Sequence, residues 1–222
     1  MTRFAIAGAM AAAVVATTAY AVDPLPFTES FDNDASDWRD GSSGAPTWFA
    51  TGGADGGGYI SSTVTVPSEV PMFGQTVFRA QDEFGSSNGA FEGNWLGAGV
   101  TQLSFNVRHT SFAPVEVFAR ISGPANFPGA IIFNFGPVFA TPGWQELTFD
   151  ISESNPALVL AGATFEDVFS NVGHVQVGVF ADDAAVNTSF DFEIDEVSIV
   201  PAPSALAVLG LGVCAVGRRR RR

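Results

Sequence analysis

Ser189–Val200 reads SFDFEIDEVSIV, and its apolar residues change parity partway along. Phe190, Phe192 and Ile194 hold even positions, whereas Val197 and Ile199 hold odd ones. Successive strand side chains point to opposite faces, so a regular strand cannot bury both sets on one side. One extra residue, a β-bulge at Asp195-Glu196, restores a common face. The same bulge turns a carboxylate away from the direction that the pleat would give it. The stretch is therefore predicted as one long, interrupted strand.

Working outward, other segments carry the two-residue period of a strand with one buried face. Leu103, Phe105 and Val107 alternate in TQLSFNVRH, and Val115, Val117, Ala119 and Ile121 in PVEVFARIS. Val175, Val177 and Val179 do so in GHVQVGVFA. PTWFAT, GYISSTVTV, TVFRA, GAIIFNF and WQELTFD are further candidates, and FTESFD opens the series, giving about ten strands. In WQELTFD, Trp144 precedes Leu147 and Phe149 and is read as core. The one clear helix signal is ATFEDVFSN, where Thr164 stands three residues before Asp167, a capping-box-like start. Many strands and scarce helix predict an all-β fold, a sandwich or barrel, in a single domain over residues 22–200.

Both ends differ from this core. Residues 1–21 run from Arg3 through an apolar stretch to Ala19-Tyr20-Ala21, the order of a secretory signal peptide cleaved after Ala21. At the other end Pro201-Ala202-Pro203 precedes Ser204–Gly217, an uncharged run, and then five arginines. As a helix that run rises about 21 Å, short of a roughly 30 Å hydrocarbon layer. The arginines favour the cytoplasmic side. Tripartite order of motif, weak span and Arg cluster resembles the bacterial PEP-CTERM sorting signals. That resemblance implies a processing enzyme of the exosortase kind, transient membrane anchoring through residues 201–222 and delivery to the cell surface or matrix. Ala202 stands where the family has Glu.

The whole chain carries −13, but residues 22–200 contain all 23 acids and only Arg39, Arg79, Arg108 and Arg120. Such a field repels phosphate backbones and excludes nucleic acid as a partner. The only cysteine, Cys214, lies in the tail, so the exported core has neither a disulfide nor a thiol site.

FTESFDNDASDW near the mature start and FEIDEVSIV at the core's end resemble the paired terminal strands of jelly-roll carbohydrate-binding modules and laminin-G-like domains. The resemblance implies a jelly-roll antiparallel sandwich whose first and last strands lie side by side. It also implies a structural calcium linking them, with Glu29, Asp32 and Asp195 as ligands and Asp34 and Asp37 as nearby donors. An acidic edge left to solvent is the other reading of the same residues.

Sugar recognition would use flat aromatic faces. Trp95, in the loop-like EGNWLGAG, and Tyr59 are the candidates, while Trp38 and Trp48 are expected to pack under the N-terminal strands. His109 and His174 read as polar strand-end residues rather than general bases, and no nucleophile or metalloprotease motif is present. Gly52–Gly58, GGADGGG, lacks the Lys of a phosphate cradle and reads as a flexible loop. The expected function is a non-enzymatic surface or matrix component that binds polysaccharide. A surface glycoside hydrolase and a ligand-free coat protein are the alternatives.

Overall fold

The computed structural model describes residues 25–69 and 74–202. The expected signal peptide with Ala19 and Ala21, the expected apolar C-terminal helix, and Pro203 of the expected sorting motif lie outside the described residues.

Among the described residues, twelve strands form two antiparallel sheets. The first sheet contains β1 (Phe27–Glu29), β3 (Thr47–Phe49), β4 (Tyr59–Thr65), β6 (Val100–His109), β9 (Gln145–Asp150) and β12 (Ser189–Pro201). Its order is β3-β4-β12-β6-β9, with β1 also on β12. The second sheet runs β10 (Leu158–Ala161), β8 (Gly129–Phe133), β7 (Val115–Ser122), β11 (His174–Ala181), β5 (Gln75–Gln81), β2 (Arg39–Asp40). The sheets pack face to face as a jelly-roll-type β-sandwich, and nearly every buried apolar side chain belongs to one shared core.

β12 organises the first sheet. One edge pairs with β4 over Ser189–Ile194 and then with β1 over Val197–Ile199. The other edge pairs with β6, but Asp195 faces Asn106 and Ser198 faces Ser104, so three steps on β12 match two on β6. The extra residue is the bulge expected at Asp195-Glu196. Glu196 takes φ 48, the left-handed region that accommodates the kink. Phe190, Phe192, Ile194, Val197 and Ile199 consequently all point into the core. The bulge is also where β12 exchanges one partner strand for another. β1 and β12 lie side by side, as the terminal-strand resemblance implies.

The two strands that the sequence did not reveal are the shortest edge pieces, β2 and β10. β2 is only two residues long, and β10 is four residues long with none fully buried, so neither offers a periodic run. The helix α2 (Phe165–Phe169) has the expected reciprocal cap between Thr164 and Asp167. A second short helix, α1 (Trp95–Ala98), is capped by Asn94, whose side chain accepts the Gly97 N–H at 2.7 Å.

Candidate functional site

Three polar or aromatic assemblies stand apart from the core. The first forms around the bulge. Asp195 is fully buried, and its carboxylate accepts the N–H groups of Ala54 and Glu196, each at 2.7 Å. The Gly52–Gly58 segment closes over it as a tight turn, with Gly53 N–H on Gly57 O and Gly56 N–H on Gly53 O. This corrects the flexible-loop reading. A Cβ on Gly53 would collide with Gly58 O, and one on Gly58 with Phe31 O, so only glycine permits the approach. Burial, and then the charges of Asp55 and Glu196, push Asp195 up to about 6. Burial and the charges of Asp55, Glu146 and Asp32 likewise raise Glu196.

Asp32, Asp55, Asp195 and Glu196 therefore share one acidic neighbourhood, and Glu29 does not join it. Glu29 Oε1 instead accepts the Phe31 N–H at 3.0 Å, a local turn bond at the end of β1. Among the described residues, neither Glu29, Asp32 and Asp195 nor any three of Asp32, Asp55, Asp195 and Glu196 bring one oxygen each within 4.8 Å of one another. Asp34 bonds the Ser36 N–H, and Asp37 pairs with Arg39. The expected ligand trio is thus not assembled as a trio, because one member is spent on its own backbone. Asp55, which the sequence reading did not single out, occupies the position nearer the bulge. The residues present offer oxygen donors alone, which suits calcium.

The second assembly lies on the outer face of the first sheet. Tyr59 stacks on Phe49 at 4.7 Å and meets Trp144 edge-on at 5.4 Å. Arg108 lies over both Tyr59 and Trp144, 4.5 Å from the latter's ring centre, and is paired with Glu193. Trp144 Nε1 donates to Gly52 O at 3.0 Å. The core reading of Trp144 is corrected: it precedes β9 and lies half-buried on the outside. Tyr59 is on this face, but protein groups already occupy both of its sides. Trp95 is corrected more strongly. Its ring is fully buried in α1, and Nε1 donates to Phe91 O at 2.9 Å, so no face is left for a sugar. The glycine-rich context that reads as loop is here a helical turn tucked into the core. Trp38 and Trp48 pack beneath the N-terminal strands as expected; Trp48 Nε1 donates to Phe31 O at 2.7 Å.

The third assembly covers the outer face of the second sheet. With Val175, Val177 and Val179 turned inward, the residues between them point out. Register aligns Arg79, Gln176 and Arg120 across β5, β11 and β7, with Ile131 and Val159 continuing the row. Arg120 donates to Gln176 Oε1, Ser122 Oγ, Asn126 Oδ1 and Asn126 O. Burial and the neighbouring Arg79 hold its guanidinium below the ordinary value. Neither arginine has a carboxylate within ion-pair distance among the described residues, and the Nε–H of Arg79 has no acceptor. To one side of the row, along the strand direction, Phe118, Phe180 and Phe133 cluster, and Phe133 stacks on Phe135 at 5.9 Å. Phe135 and Phe127 are 68% and 64% exposed, and Arg120 lies 5.7 Å above the Phe127 ring. No sequence signal distinguished these phenylalanines from the other nineteen; exposure is a tertiary property.

His109 and His174 both stand at strand ends, as expected, and both are buried. His109 Nε2 lies 3.1 Å from Val138 O, and burial lowers its pKa. Pro201 ends β12, and the Ala202 N–H bonds Gly99 O at 2.9 Å, so the described part of the sorting motif is joined to the sandwich.

No family model and no curated protein matches this chain. Solved structures of similar fold do. The family 11 carbohydrate-binding module from Clostridium thermocellum, in complex with a β-1,3-1,4-mixed-linked tetrasaccharide, aligns at 12% identity and TM-score 0.49. The alignment covers 80% of this chain and 96% of that module. CBM22-1-GH10 modules of a C. thermocellum endo-1,4-β-D-xylanase, complexed with xylohexaose, align at 14% identity and TM-score 0.46, over 79% of this chain and 28% of that one. An exo-β-agarase aligns at 9% identity and TM-score 0.51, over 79% of this chain and 25% of that one. The chain thus spans about a quarter of both enzyme chains. Carbohydrate-binding modules are among its structural neighbours.

Proposed function

We propose that this chain is an exported, surface-sorted, non-catalytic protein that binds polysaccharide across the outer face of the second sheet. The observation that carries the reading is the in-register row Arg79–Gln176–Arg120, bordered by the exposed rings of Phe127 and Phe135. Planar guanidinium groups suit sugar hydroxyls, and open aromatic faces suit the apolar side of a pyranose; Gln176, buried between the two arginines, spaces them. On the other sheet Arg108 and Phe49 already cover Tyr59, so a ligand there would have to displace them.

Calcium belongs to the same reading as a structural ion rather than a reagent. Asp32, Asp55 and Glu196 would hold it beside the buried Asp195, and its charge would offset the crowding that raises both Asp195 and Glu196. Export rests on the two terminal segments: the signal peptide for translocation, and the PEP-CTERM-like tail for an exosortase-type enzyme.

Affinity electrophoresis against a panel of soluble polysaccharides tests the ligand face. Phe135→Ala and Phe127→Ala should each weaken retention about 3- to 10-fold, the worth of one aromatic contact. Trp144→Ala should change little, and no reducing ends should be released. Retention lost only in Trp144→Ala would move the site to the first sheet, and no retention on any glycan would favour a ligand-free coat protein.

A further inference from the structure

We propose that Asp82, Glu83 and His174 form a binding site for a divalent transition-metal ion of the zinc class. Gln81 and His174 are paired across β5 and β11, and the chain leaves β5 directly into a short 3-10 turn, Asp82–Phe84. That turn sends two consecutive carboxylates to the same atom. His174 Nε2 lies 3.0 Å from Asp82 Oδ1 and 3.0 Å from Glu83 Oε2. The imidazole is only 2% exposed, whereas the Asp82 and Glu83 side chains are 30% and 55% exposed. The imidazole is therefore the fixed wall of the site, and its mouth opens to water.

One imidazole N–H cannot serve two carboxylates equally well; Asp82 Oδ1 also accepts the Glu83 N–H at 3.0 Å, but no cation among the described residues pairs with the remaining negative charge. The chain has no lysine, and among the described residues no arginine lies within ion-pair distance of Asp82 or Glu83. Glu92 adds a third carboxylate, whose pKa is raised by burial and then by Asp82 and Glu83. A divalent ion at the convergence point removes both difficulties. Tetrahedral zinc bonds nitrogen and oxygen ligands at about 2.0–2.1 Å, which sets neighbouring ligand atoms about 3.3 Å apart. The observed 3.0 Å separations need only a small opening to admit it.

The donor set also selects the ion. Nitrogen plus two carboxylates suits zinc, cobalt or nickel, while calcium requires six to eight oxygens. Gln81 completes the arrangement behind the imidazole, with its side-chain amide 3.2 Å from Nδ1. When Nε2 gives up its proton to bind metal, Nδ1 carries one and donates it to the Gln81 carbonyl oxygen after the amide turns over. Such an outer hydrogen bond is the usual partner of a metal-bound histidine. The ion would join the end of β5 to the start of β11, at the opposite end of the ligand face from Phe135.

The test uses the full chain without an affinity tag, carrying Cys214→Ser so that the tail thiol cannot bind metal. After chelator treatment, zinc or cobalt is titrated alone. Micromolar zinc should raise the melting temperature, and cobalt should give visible absorption bands of a low-coordinate site. Glu83→Gln, at the exposed position, should leave the metal-free melting temperature unchanged and weaken zinc binding at least tenfold. His174→Gln should abolish the cobalt bands. No zinc-dependent shift, or a shift that persists undiminished in Glu83→Gln and Asp82→Asn, overturns the site. Because the calcium ligands lie around the bulge, the response to calcium must be the same in Glu83→Gln as in its parent; loss of both responses would assign them to one shared site and overturn the separation.

Discussion

Asp195 shows how one residue can be costly and still be retained. Its pKa is raised from the ordinary 3.8 to about 6, so between these values the folded state holds a proton that the unfolded chain releases. Stability therefore falls as pH rises through this window, by up to about 3 kcal/mol in the absence of a cation. Melting curves from pH 4 to pH 7 in chelator should show this decline, and calcium should flatten it. Asp195→Asn should remove both the decline and the response to calcium; a calcium response that persists would place the ion elsewhere. Glu196 is a second local test, since a non-glycine residue at φ 48 is strained. Glu196→Gly should raise the chelated melting temperature, by a gain on the order of 1 kcal/mol, and weaken calcium binding.

At the scale of the element, β12 matters as a continuous strand with one counted insertion. Inserting one residue after Glu196 would shift the parity a second time and swing Val197 and Ile199 outward. Each forfeits about 1.5–3 kcal/mol of burial, and β1 loses its register with Val197–Ile199. Urea unfolding should therefore show a midpoint far below the parent's, or no folded protein. Alanine at Thr164 is the milder comparison, costing about 1 kcal/mol through loss of the α2 cap. The contrast has a physical cause. A cap acts within one turn, whereas a bulge sets the facing of everything beyond it.

For the whole molecule, the sandwich, its acidic surface and its two terminal segments make one consistent account. The charge of −19 over residues 22–200, with no cysteine among them, is compatible with the proposed export, since such a domain needs no oxidative folding. Mass spectrometry of exported material should find an N-terminus at Val22 and a C-terminus near Pro201–Ser204. An intact Arg222 on released protein would contradict processing of the tail.

Alternation along ten segments, the parity change at Asp195-Glu196 and the Thr164–Asp167 cap were all legible in the sequence. Each is a relation among near neighbours, which the pleat or a helical turn converts directly into geometry. The identity of the sites was not legible in that way. Ala54 meets Asp195 across 141 positions, and Asp82 meets His174 across 92. Trp95 is sealed and Phe135 bare for the same reason: whether a ring is covered depends on what distant chain packs against it. Local periodicity determined that the fold would be all-β and which alternating side chains would face inward. Only the tertiary structure decided which loop closed over which strand end, and so where the charges and open rings were left together.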